Sequence, residues 1–273
     1  MNLTEAADAV TCLLEGSKPR RGLKAQKHAQ HLGPARKRVA AVLRSYWARQ
    51  EAALLKDIKP RIQRALAIHP PLKEAITPAG ARFASNLVPS SLQPLRFAVT
   101  KGEASEYADA ITDAITGAGK VIAGELALGR INVEDVASTY LRDNSLSKLT
   151  GEIAAETTKR LQDGLAQAWD RGGSYDQMVA AVKETFKDFS DTRAGMIAQT
   201  ETNDAYNEAR DKIATDAGMD EKAWETESGD PCPTCVENES AGYIDIDEDF
   251  PSGDDAPTAH PNCMCSLKYR KSS

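Results

Sequence analysis

Apolar residues recur at helical spacing over most of the chain. Val39, Val42, Leu43, Tyr46 and Trp47 share one side of a stretch from about 34 to 68. Pro34 suits a first helical turn, whereas Pro60 lacks an N–H and is expected to kink or divide the helix. Ile111, Ala114, Ile115, Ala118, Val121 and Ile122 mark a second helix over 103–128. Gly117, Gly119 and Gly124 weaken it, split it or admit a close neighbour. A short helix is expected over 133–141, and a clearer one over 145–171, where Leu149, Ile153, Thr157, Leu161 and Leu165 recur every four residues. Ser174-Tyr-Asp-Gln177 has the form of a capping box that opens a helix over 175–187. A last helix spans about 191–217 and ends at Gly218. Ahead of all of these, 3–15 reads as a short amphipathic helix with Cys12 as a small core residue.

The helical period fails in two places. Residues 69–100 hold Pro70, Pro71, Pro78, Pro89 and Pro94 and no sustained pattern, which marks an irregular connection. Beyond Gly218, Trp224 begins a short strand, and AGYIDIDEDF and CMCSLKYR suggest two more. The expected fold is mainly α: a helical body with a small C-terminal α+β knob organised by a metal ion. The corresponding divisions are a basic helical region (1–70), a proline-rich connection (71–101), a helical domain (102–218) and a Cys/His knob (219–273).

Composition adds little until charge is resolved along the chain. Hydrophobic residues make up 41% and charged residues 27% of the 273 positions, ordinary values for a soluble protein. No run of 18 apolar residues offers a membrane span, and the acid-bearing N-terminus lacks the features of a secretory signal. The expected setting is therefore a reducing cytoplasm. The net charge of −6 divides into +9 over residues 1–70 and −15 over the rest. Ser17 to Arg38 contains no acid, so Lys18, Arg20, Arg21, Lys24, Lys27, Arg36, Lys37 and Arg38 are candidates for contact with nucleic acid or an acidic partner, or else form a solvated basic arm. The acidic stretch 220–255 would repel DNA, and its D-I-D-E-D lacks the spacing of a calcium loop.

Four of the five cysteines lie within Gly229–Arg270, GDPCPTCVENESAGYIDIDEDFPSGDDAPTAHPNCMCSLKYR. Cys232-Pro-Thr-Cys235, read as a loop, can turn two sulfurs toward one ion. His260-Pro-Asn-Cys263-Met-Cys265 offers three donors for the two remaining places. Cys232, Cys235, His260 and Cys263 are the favoured set, with Cys265 as substitute ligand or buried thiol. Thiolates at tetrahedral spacing select zinc, and a site filled by protein ligands is structural. Redox exchange, a Cys–His nucleophile and two disulfides are the alternatives. A thioredoxin-like motif would open a helix within a βαβ pattern, which is not seen around this one.

The same tail carries a resemblance. Thr200-Glu201-Thr202 on a helix, then Asn207 and Ala209, Trp224, Asp230-x-Cys232-x-x-Cys235, Gly242, and the closing His260-Pro-Asn-Cys263-x-Cys265 form an ordered set. It resembles the C-terminal module of phage head-morphogenesis proteins, the Mu protein F-like minor head family, over roughly Leu146 to Arg270. The family usually has arginine where this chain has Gln199, and C-R-C where it has Met264.

The resemblance implies a non-enzymatic minor virion component, present in the host cytoplasm during assembly. It would bind the portal protein, with scaffolding protein, major capsid protein and genomic DNA as further contacts. Some relatives carry ADP-ribosyltransferase toxins, and Glu225-Thr226-Glu227 mimics the E-x-E of that chemistry. A zinc-bearing nucleic-acid binder is the other alternative. Glu201 and Asp230 are expected to brace the metal ligands or cap backbone beside them.

Overall fold

The computed structural model describes residues 23–68, 99–171, 173–227 and 231–272. The expected helix over 3–15 and nearly all of the proline-rich connection lie outside them. The chain is mainly helical, with a small antiparallel sheet near its C-terminus. The elements are α1 (Leu23–Ile68), α2 (Lys101–Glu125), α3 (Glu134–Asp143), α4 (Leu146–Asp170), α5 (Tyr175–Asp188), a π turn (Phe189–Arg193), α6 (Ala194–Asp216), β1 (Glu221–Glu225), α7 (Pro233–Ser240), β2 (Tyr243–Asp245) and β3 (Ser266–Arg270).

Of the kink or division expected at Pro60, division does not occur: α1 runs through it. Ile58 and Ile62 on either side of it are fully buried while Pro60 is exposed. Burial of the apolar face therefore outweighs the lost backbone hydrogen bond. The glycines of α2 do not split it either. A Cβ on Gly119 would lie 2.6 Å from Val133 Cγ1, so this glycine admits the residue that precedes α3. Ser174 forms the expected capping box with Gln177. At the end of α6, Gly218 has φ +72° and the Met219 N–H closes onto the Ala214 carbonyl, a Schellman ending.

Two compact units are interleaved in sequence. One draws on Ala41–Glu106 and Asn144–Ala194. Its core gathers round Phe189, whose ring lies 5.5 Å from that of Trp47 and 6.0 Å from that of Phe186. The guanidinium groups of Arg160 and Arg193 lie over the same ring at 5.9 and 4.9 Å. The start of α2 is fixed in this unit by a second capping box. Glu103 N–H donates to Thr100 Oγ1, and Thr100 N–H donates to Glu103 Oε2. T-x-x-E was present in the sequence but lay just ahead of the helix as drawn from apolar spacing.

Arg49 donates twice to the same Glu103 carboxylate, at 3.0 and 2.5 Å. Burial raises the Glu103 pKa, but the hydrogen bonds from Arg49 and Thr100 win and hold it below the usual 4.5. A carboxylate with a depressed folded-state pKa stabilises the fold above its unfolded value, and that contribution is lost as pH falls through the folded value. Glu103→Gln is therefore expected to lower thermal stability at pH 7. The gap to wild type should narrow once pH falls below about 4.5, the ordinary carboxyl value. Parallel melts by circular dichroism at pH 7 and pH 3 check this; an equal gap at both would remove the ion pair from the account.

The other unit draws on Met1–Ala40, Tyr107–Asp143 and Gly195–Ser273. Its sheet has the order β2-β1-β3, antiparallel throughout, with Trp224 opposite Leu267 and Ala223 opposite Tyr243. The knob does not carry a private core. Trp224, Phe250, Leu267, Tyr269 and three cysteines pack with Ile122 of α2 and Ile213 and Ala214 of α6. This explains how a segment poor in apolar residues is ordered: the two helices supply much of the buried surface.

Candidate metal centre

The first half of the site is a helix start. Cys232 precedes Pro233 at the first position of α7, and its Sγ accepts from the Cys235 N–H at 3.5 Å. The sequence reading of this C-x-x-C as a loop is thereby corrected. The sulfur takes the place of a serine or threonine oxygen at the cap, and proline suits the first turn. The motif thus opens a helix after a strand. The surrounding sheet is nevertheless antiparallel, so the βαβ frame of a thioredoxin-like site is not formed here.

The second half is a β-turn. Cys263 N–H donates to the His260 carbonyl at 3.1 Å, with Pro261 and Asn262 at the two central positions. Asn262 has φ +67°, a left-handed conformation that asparagine tolerates. Proline then asparagine is what a type II turn requires, so H-P-N-C encodes its own geometry. Cys263 and Cys265 precede β3 rather than lying in it. The separation expected of them on one side of a strand therefore does not apply.

The five donors fall into two overlapping groups. Cys232, Cys235 and His260 place their ligand atoms within 4.8 Å of one another, as do Cys235, Cys263 and Cys265. Cys235 belongs to both. His260 Nε2 lies 3.3 Å from Cys232 Sγ and 3.4 Å from Cys235 Sγ, and Cys235 Sγ lies 3.9 Å from Cys263 Sγ. A tetrahedral zinc ion with bonds of about 2.3 Å to sulfur and 2.0 Å to nitrogen has ligand separations of about 3.8 Å between sulfurs and about 3.5 Å between sulfur and nitrogen. These three spacings are close to those edges, the two groups do not merge into one set of four within 4.8 Å, and none of the four described cysteines forms a disulfide. The cluster can hold a metal ion.

Protonation prepares the same chemistry. His260 Nδ1 lies 2.9 Å from the Pro261 carbonyl, which can only accept, so Nδ1 carries a proton. That leaves Nε2 to face the thiols, the arrangement that orients metal-binding histidines. In the metal-free cluster, the hydrogen bond to Cys263 pushes the His260 pKa up to about 9. Hydrogen bonds from Cys235, Cys265 and His260 hold the Cys263 thiol far below its usual range. The hydrogen bond to Cys263 keeps the proton on Cys235. A bound cation replaces these protons, so loading releases them to solvent.

Of the expected bracing residues, Glu201 accepts a hydrogen bond from the Tyr107 hydroxyl at Oε2, 3.1 Å away, and its carbonyl accepts from the Tyr140 hydroxyl at 3.4 Å. Asp230 lies outside the described residues. The side chains of 199–207 that meet the metal loop were not singled out as supports from sequence. Gln199 Nε2 donates to the Asn262 carbonyl at 2.8 Å, and Thr200 Oγ1 accepts from its N–H at 2.9 Å. The glutamine that replaces the family's usual arginine thus still supplies a donor to this loop. Gln199, Thr200, Asn203, Asp204 and Asn207 recur at helical spacing as a polar stripe on one side of α6, and that spacing was the available signal; Asn203 and Asn207 on it are buried.

The basic candidates are only partly described. Lys18, Arg20 and Arg21 lie outside the described residues, as do the side chains of Lys24 and Lys27. Lys37 is exposed, Arg36 is half-buried, and Arg38 pairs with Asp113 of α2 at 2.5 Å. Glu225 pairs with Lys268 across the β1–β3 ladder, and Glu227 is buried and accepts from Ser266 Oγ. Both glutamates of the E-x-E thus make side-chain contacts with β3. No helix among the described residues is long and apolar enough to cross a membrane.

Residues 159–268 match the family model described as Phage Mu protein F like protein. The matched segment contains α6, β1, β2, the first half of β3 and all five candidate donors. The C-terminal module is therefore similar to Mu F-like proteins over that segment. No curated protein and no solved structure matches the chain.

Proposed function

We propose that the protein is a minor head component that docks on the portal during procapsid assembly and acts without catalysis. One zinc ion, held by Cys232, Cys235, His260 and Cys263, sets the shape of its C-terminal module, with Cys265 as the spare thiol. The basic stretch Ser17–Arg38 contacts packaged DNA or an acidic scaffold. The family match over the metal-bearing segment carries this reading. The sequestered Glu225 and Glu227 also favour a structural role over NAD chemistry.

Co-expression with the portal protein encoded by the same phage tests the docking. The tagged chain is expected to co-elute with portal oligomers at physiological salt and to be found in purified heads. Absence from both would overturn the proposal. If the basic stretch acts through phosphates, any DNA binding should fall steeply with salt, while portal binding should persist.

A further inference from the structure

The metal loop rests on a row of α6 side chains. Asn203 Nδ2 and Asn207 Nδ2 both donate to a single acceptor, the Cys265 carbonyl, at 3.1 and 3.0 Å. Both asparagines are fully buried. A carbonyl oxygen has two lone pairs, so two donors satisfy it and fix its direction. Fixing that direction fixes the peptide plane between Cys265 and Ser266, where β3 begins. The neighbouring contacts act on the same loop. Asp204 Oδ1 accepts from the Thr258 N–H and hydroxyl at 3.2 and 2.5 Å, and Gln199 and Thr200 hold both polar backbone groups of Asn262.

Asn207 adds a second observation. Its Oδ1 is buried without a hydrogen-bond partner. An orphaned buried polar atom costs about 1–3 kcal/mol, which an apolar residue of similar shape would avoid. The amide is accounted for by its other end, where Nδ2 meets both the Cys265 and Asn203 carbonyls.

We infer that Asn203 and Asn207 are positioning residues of the metal centre, holding the Cys265 carbonyl so that the His260–Cys263 half-site stands ready-made on α6 for the Cys232–Cys235 half-site on α7. The inference rests on the metal reading of the cluster. The two asparagines touch no ion. They act through the peptide that joins the ligand turn to the sheet, and without them the turn must be ordered at the moment of binding.

The test is a titration of the reduced, metal-stripped full chain with Co²⁺, followed by zinc affinity from competition with a chelator. Visible bands of Co²⁺ report tetrahedral geometry, and its sulfur charge-transfer band reports the thiolates bound. Asn203→Ala and Asn207→Ala are expected to weaken zinc binding about 10–100-fold and to change the Co²⁺ spectrum, the usual size of effect for a group that orients a ligand. Thr200→Val and Gln199→Ala, which remove contacts at the less buried end of the loop, should shift the same spectrum more modestly. If the asparagine variants lose helicity, these two carry the test. Wild-type spectra and affinities in all folded variants would overturn the positioning role alone. A wild-type chain that takes up neither Co²⁺ nor zinc would overturn the metal reading and this inference with it.

Discussion

Cys235→Ser is expected to abolish stoichiometric zinc retention, whereas Cys265→Ser should leave one zinc per chain. Cys235 is the donor common to both groups of ligand atoms, so its loss breaks both of them. Four-ligand zinc sites contribute about 10–16 kcal/mol at neutral pH, so removing one donor should weaken binding on the order of several hundredfold. The folded module should loosen with the metal. His260, Cys263 and Cys235 belong to, or adjoin, the core that also contains Trp224 and Phe250. Elemental analysis of the purified variants, with hydrogen exchange across 219–272, reads both effects. Equimolar zinc in Cys235→Ser would overturn the proposed ligand set. Loss of zinc in Cys265→Ser, with Cys263→Ser unaffected, would exchange the roles of those two thiols.

Trp224→Ala is expected to lower unfolding stability by about 4 kcal/mol, in the range for truncating a buried tryptophan. The indole is 2% exposed, its ring meets Phe250 edge-on at 5.1 Å, and it lies across from Leu267. Its position in the core shared by the sheet, α2 and α6 makes the loss wider than one strand. Urea denaturation followed by far-ultraviolet circular dichroism gives the change. Zinc affinity measured on the same samples should fall as well, because the cavity opens beside Cys235, Cys263 and Cys265. A loss below about 1 kcal/mol would mean that the knob is ordered by the ion alone, with little help from apolar packing.

Much of the helical framework was legible in the sequence. Leu149, Leu161 and Leu165 are buried along α4 as their four-residue spacing predicts, and Ser174-Tyr-Asp-Gln177 closes the capping box it spells. These features depend on neighbours within a turn or two, where spacing and side-chain chemistry act directly. The type II turn in His260-Pro-Asn-Cys263 is local in the same sense. Three strands were expected, and three short strands are present at Glu221–Glu225, Tyr243–Asp245 and Ser266–Arg270, with Trp224 near the end of the first rather than its start and Cys263–Cys265 ahead of the third. The helix after Cys232 escaped notice because VENES has no apolar stripe; its start depends on a cysteine acting as cap.

The residue types of a metal centre were determined by the sequence itself: two sulfur pairs, a histidine and turns tight enough to present them. Tertiary structure decided which atoms face one another and what holds them there. The convergence of Asn203 and Asn207 on Cys265 spans about 60 positions of chain, and the Arg210 side chain reaches the Leu267 carbonyl over a similar distance. The interleaving of the two compact units is also of this kind. Local patterns state which face of a helix is apolar, but the partner for that face is chosen by the packing that buries the most surface while satisfying every polar group. That choice involves residues far apart in the chain, and here it placed a buried polar face of α6 beneath the metal loop.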